Sequence, residues 1–186
     1  MVAEKIDYDI LVTKIPEDGK KLRDVKHAFQ LYVNSKLALI YGVQELARRV
    51  RKIGIKNVYI NSCHPGNAVR TRMGKNFQSG VGPLLEKFIR ALLSIAIGNR
   101  LEDCAKTQVY VSANPTVQSK DLSGLYWEPR WSFARTYRGC KPTELTELGR
   151  DPEEVKKMWN FTISALQKAL SPEQFEFETL TQLRNV

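Results

Sequence analysis

What most limits how this chain can fold is a long helical pattern over residues 25–52 that runs into a short apolar strand pattern. Leu37, Ile40, Val43, Leu46, Ala47 and Val50 recur at spacings of three and four, which lays one apolar stripe along a helix. Gly54 stops the helix. Residues 56–63 then read as a buried strand, with Val58 and Ile60 pointing one way and Tyr59 the other. Pro65-Gly66 ends that strand with turn chemistry.

The rest of the chain is arranged around this pair. Residues 6–12 have the composition of a short strand, and Pro16-Glu17-Asp18-Gly19 is a turn. Residues 83–97 form an amphipathic helix, with Leu84, Phe88, Ile89 and Leu92 opposed to Glu86, Lys87 and Arg90. A second helix is predicted over 101–113, stopped by Asn114-Pro115. Residues 123–127 are a short strand, and 130–143 an irregular stretch of aromatic and basic residues. A last helix spans 152–170, with Asp151 as its cap and Pro152 in its first turn.

At 186 residues one domain is expected, with an ordinary apolar content of 42% to build its core. The formal charge of +9 fits an anionic partner such as a nucleic acid, a membrane surface or a phosphate-bearing cofactor. The cations thicken at Arg48-Arg49-Val50-Arg51-Lys52, which reads as a solvated helix end complementing the negative dipole. Cys63, Cys104 and Cys140 are odd in number and far apart, so neither a disulfide framework nor a paired zinc site is expected. A reducing, cytoplasmic setting is the expectation, since residues 1–10 carry four charges and no signal-peptide pattern. The longest apolar stretch, 91–98, is too short for a bilayer.

Chemistry concentrates in Tyr32-Val33-Asn34-Ser35-Lys36. A phenol and an amine four residues apart lie one above the other on a helix face. An ammonium beside a phenol stabilises the phenolate, which suits the tyrosine to acid/base work. The same spacing also occurs on plain solvated helices. The downstream order is what narrows the choice: after the helix and strand come His64-Pro65-Gly66 and Val69-Arg70-Thr71. Further on stand Glu102-Asp103-Cys104-Ala105-Lys106-Thr107, Ser123-Gly124-Leu125-Tyr126-Trp127 and Asp151-Pro152-Glu153. In this order they resemble the second half of the short-chain dehydrogenase/reductases, in the retinol-dehydrogenase-like branch. The resemblance covers about residues 23–170, and the tail 171–186 lies outside it.

The resemblance implies an α/β fold: the C-terminal part of a doubly wound, Rossmann-type parallel sheet. Residues 1–186 would be a single partial domain, with 6–12 a loop near the sheet edge. The activity implied is NAD- or NADP-dependent oxidoreduction of a carbonyl/alcohol pair, with a lipophilic substrate under the 83–97 helix. Tyr32 would give or take the proton at the substrate oxygen, and Lys36 would lower its pKa and bond the nicotinamide ribose. Pro65 and Gly66 would turn the chain past the cofactor, and Thr71 would offer it a hydroxyl. Two residues, Asn67 and Ala68, separate Pro-Gly from Val69 where the family usually has one, which shifts Thr71. No Gly-x-Gly-x-x-Gly occurs, and neither does the family's Asn-Ala-Gly segment or its catalytic-serine strand. The reading is therefore a C-terminal half, inactive and a poor cofactor binder by itself. The rival is a truncated, non-catalytic homologue that pairs with an intact subunit or a second copy. Tyr126, Trp127, Trp131, Phe133 and Tyr137 interleaved with Arg130, Arg135 and Arg138 are a pattern used on single-stranded nucleic acid. A final strand accounts for the first part of it, so no nucleic acid is expected, and membrane-surface attachment is a minor alternative.

Overall fold

A computed structural model describes residues 6–12, 25–67, 99–133, 136–175, 182–184 and 186. Among them the chain is a mixed α/β structure with a small mixed sheet. The elements are α1 (Tyr8–Val12), α2 (Val25–Lys52), β1 (Ser62–Cys63), α3 (Leu101–Ala113) and α4 (Pro115–Ser119). They continue with β2 (Tyr126–Trp131), β3 (Tyr137–Pro142), α5 (Glu147–Arg150), α6 (Pro152–Ala169) and α7 (Pro172–Phe175). The predicted helix over 83–97 and the site residue Thr71 lie outside the described residues.

The sheet order is β1-β2-β3. β1 pairs parallel to β2, Ser62 opposite Tyr126 and Cys63 opposite Trp127. β2 pairs antiparallel to β3, with a register irregularity between Pro129 and Trp131. Pro129 has no N–H to give the ladder, which is where such an irregularity belongs. Neighbouring residues of a strand point to opposite faces. Trp127 turns onto Tyr110 of α3, ring centroids 5.8 Å apart, while Gly124 lies against Ala47 of α2.

Three expectations need correction. Residues 8–12 are a helix, not a strand or a loop, because Tyr8 and Leu11 pack into an α-helical core instead of a sheet. The strand over 56–63 shrinks to Ser62–Cys63. Asn57 takes a left-handed conformation (φ 60°), and Ile60 N–H donates to the Ser123 hydroxyl at 2.9 Å instead of to a strand carbonyl. Third, the stretch over 130–143 is not irregular: most of it is β3 and the end of β2, joined where Ser132 N–H donates to the Thr136 carbonyl at 2.9 Å.

The helices 25–52, 101–113 and 152–169 stand where the sequence puts them. Asp151 caps α6 by accepting from the N–H groups of Glu153 and Glu154 at 3.0 and 3.4 Å. Asn114 caps α4 in the same way through Thr116, so the break at Asn114-Pro115 is also a helix start. The core holds Ile6, Tyr41, Val155 and Met158, ringed by Tyr8, Leu37 and Phe161. α2 meets α6 through this cluster. Tyr41 hydroxyl donates to the Leu148 carbonyl at 2.5 Å, which also fastens α5 to α2. Among the described residues no helix is long and apolar enough to cross a membrane.

Candidate functional site

The residues singled out in the sequence lie on α2 and in the turn after β1. α2 leads through the Gly54 turn into β1, so the strand runs back along the helix. The first turns of α2 carry Tyr32 and Lys36. Tyr32 and Lys36 share one face there, with the ammonium 5.4 Å from the phenol ring centroid. Tyr32 is 48% exposed and Lys36 is exposed, so both can meet a ligand. Burial raises the pKa of Tyr126 on the adjoining strand, and the charges of Glu128, Cys63 and Tyr32 raise it further. Tyr32 therefore lies within electrostatic reach of the sheet residue that pairs with Ser62.

The turn after β1 is built closely. His64 N–H donates to the Trp127 carbonyl at 2.8 Å, which carries the parallel pairing one residue past the strand. Gly66 N–H donates to His64 Nδ1 at 2.9 Å. Gly66 has φ 89°, and a Cβ there would stand 2.6 Å from Trp131 Cζ2 and 3.1 Å from Asn99 Oδ1. Only glycine fits both the conformation and the space. Asn99 closes the turn from the other side, accepting from Asn67 N–H at 2.8 Å and donating its own N–H to the Asn67 carbonyl at 2.9 Å. The structure thus places Tyr32 and Lys36 on one face of α2, and Pro65 and Gly66 in the turn after β1. Against Gly66 it sets Asn99, which sequence reasoning did not mark, and Trp131, which the sequence marked only within an aromatic-basic pattern. Asn99 ends a segment with no motif, and Trp131 fell in a stretch read as irregular.

The three thiols are free. Burial raises all three pKa values: Cys140 assists at Cys63, and Asp103 and Glu102 assist at Cys104. Raised thiols are poor nucleophiles at neutral pH. No cluster of His, Cys, Asp or Glu among the described residues is arranged to hold a metal.

α2 also carries polar groups that its apolar stripe did not announce. Glu45 and Arg49 are 4% and 6% exposed and form a 2.6 Å ion pair, four residues apart. Arg48 joins Glu45 through two bonds of 2.7 and 2.8 Å. Arg49 also lies over the Trp159 ring at 4.6 Å and donates to the carbonyls of Leu183 and Arg184. Desolvation pushes the Glu45 pKa up, but the bonds and charges of Arg48 and Arg49 outweigh it and hold the carboxyl below its usual range.

No family model matches the chain, and no curated protein matches it.

Proposed function

We propose that this chain is the C-terminal half of a doubly wound short-chain dehydrogenase/reductase domain. The activity is NAD(P)-linked oxidoreduction of the carbonyl/alcohol pair of a lipophilic substrate. One observation carries most of the reading: Tyr32 and Lys36 share an exposed face of α2, the helix that precedes the strand running into Pro65-Gly66. The parallel pairing of β1 with β2 supports it, because a parallel pair needs a crossover of the kind doubly wound sheets use.

The described residues do not fit a dinucleotide by themselves. The Gly66 turn is filled by Trp131, and the sequence contains no Gly-x-Gly-x-x-Gly to take a pyrophosphate. No hydride step is therefore derived for this chain alone. What its own residues offer is a phenol able to move a proton and an ammonium beside it. A second reading, a non-catalytic homologue that pairs with an intact subunit, draws on another observation. Phe29, Tyr32 and Leu39 are 51%, 48% and 59% exposed along α2, an aromatic and aliphatic flank open to a partner.

The reading frame upstream of Met1 separates the two. An in-frame Gly-rich strand–turn–helix, joined to this chain, should give a protein that oxidises NADH or NADPH with lipophilic aldehydes or ketones. Tyr32→Phe in that protein should lower the rate by about 100-fold or more. An active joined protein indifferent to Tyr32→Phe would remove the catalytic assignment. No such upstream element would leave the pairing homologue as the reading.

A further inference from the structure

The β2–β3 hairpin ends in a side chain that nothing covers. Phe133 is 108% exposed, the most open of the large apolar residues described. Its backbone is held in place. Ser132 N–H donates to the Thr136 carbonyl at 2.9 Å, and Thr136 N–H donates back to the Ser132 hydroxyl at 3.1 Å. Just below, Trp131 and Tyr137 pair across the hairpin with ring centroids 5.8 Å apart, and Trp131 also lies on the Gly66 turn. The root of the hairpin is packed, while its tip sends a phenyl ring into water.

The strands under the tip are basic. Arg130 and Arg138, both exposed, come next after the Trp131–Tyr137 pair on the two strands, and exposed Lys141 follows on β3. Among the described residues none of these three cations has an ion pair. Glu128, in register with Lys141, is the one carboxylate on either strand. Like charges side by side across a strand pair repel, so the hairpin gains from an anion outside the chain. Single-stranded nucleic acid takes successive exposed rings to stack on. Here Trp127 is 2% exposed, Tyr126 is half-buried, and Trp131 and Tyr137 are turned on each other, which leaves Phe133 as the one open ring. One protruding ring above a collar of cations suits a lipid–water interface instead. The ring enters the acyl boundary, and the cations meet anionic headgroups.

We propose that the hairpin tip docks this protein peripherally on an anionic membrane surface. Phe133 inserts between headgroups, and Arg130, Arg138 and Lys141 hold their phosphates and carboxylates. The assignment is independent of the oxidoreductase reading, because it uses none of Tyr32, Lys36, Pro65 or Gly66.

Flotation of the full chain with vesicles of equal parts phosphatidylcholine and phosphatidylserine tests it, since bound protein rises in the gradient while self-associated protein sinks. Phe133 packs against nothing, so Phe133→Ala should leave the fold intact, as circular dichroism would check. Val109→Ser, at a residue of α3 that is 63% exposed, removes apolar surface elsewhere, and Lys168→Gln, at an exposed lysine of α6, removes charge elsewhere. Wild type is expected to float with these vesicles and much less with pure phosphatidylcholine. Phe133→Ala should weaken binding about tenfold or more, the loss of one buried aromatic side chain. Arg138→Gln should weaken it about fivefold, the share of one cation at an anionic surface. Val109→Ser and Lys168→Gln should leave it unchanged. Absence of flotation overturns the proposal, and so does equal weakening by Phe133→Ala and Val109→Ser. Binding of a single-stranded DNA oligonucleotide that Phe133→Ala abolishes, with no flotation on vesicles, would overturn it in favour of a nucleic-acid role.

Discussion

At the scale of single residues, the most buried polar side chains are more telling than the exposed ones. Asn34 sits inside the Tyr32–Lys36 motif with 0% exposure, and among the described residues neither its amide oxygen nor its nitrogen has a hydrogen-bond partner. A buried amide without partners costs about 1–3 kcal/mol. Asn34→Leu is close in volume and should raise stability by about 1–2 kcal/mol, read as a higher urea midpoint at unchanged slope. A lower midpoint would mean that the amide has a partner in solution. Glu45 gives the opposite case. Its folded pKa lies below the unfolded one, so its contribution is present above the unfolded value near 4.3 and is lost as pH falls through the folded value. Wild-type stability should therefore fall as the pH drops below about 5. In Glu45→Gln that part of the acid limb should flatten. The variant should also be about 3 kcal/mol less stable at pH 7, since it leaves Arg49 buried without its carboxylate. Urea titrations at a series of pH values read both effects, and an unchanged acid limb would show that Glu45 does not carry it.

At the scale of elements, legibility followed the physics of each signal. Long helices were readable because many residues vote together: α2, α3 and α6 lie where periodicity and caps put them. The Asp151 cap was legible for the same local reason, and Asp151→Ala should cost about 1 kcal/mol in thermal or urea unfolding. A variant with no loss would show that Pro152 alone sets the helix start. The strands were less legible because strand pairing is not local. The 56–63 pattern looked longer than β1 because nothing in those residues shows that Asn57 turns left-handed or that Ser123 takes the backbone bond of Ile60. β3 was missed because its support comes from β2 across the hairpin and not from its own residues. The stripe on α2 was only half of its buried surface. Glu45 and Arg49 look solvent-facing in sequence, yet they neutralise each other and are covered by Trp159 and the C-terminal carbonyls. Within the site, the Tyr32–Lys36 pair and the Pro65-Gly66 turn were visible as motifs. The wall supplied by Trp131 and Asn99 was not, since it depends on where distant segments meet.

At the scale of the whole molecule, the α2 flank and the small sheet lead to one expectation. Phe29, Tyr32 and Leu39 leave apolar surface on α2, and among the described residues β1 is paired on one side only. Exposed apolar flanks and unpaired strand edges favour association. The chain in isolation should therefore self-associate or stay soluble only with a partner, seen as a mass by light scattering that rises with concentration. Leu39→Glu, which places a charge on the flank at the least covered of the three residues, should lower that mass without disturbing the helix. Calorimetry with NAD and NADP should show no micromolar binding to the 186 residues, because the sequence has no Gly-x-Gly-x-x-Gly to open a helix toward a pyrophosphate. The two measurements bear on different parts of the reading. A monodisperse monomer with a sharp cooperative transition would mean that the flank and edge are covered within the chain, and the half-domain reading would fail. Micromolar dinucleotide binding by that monomer would go further, since it would place a pyrophosphate site on elements that carry none of the usual glycines.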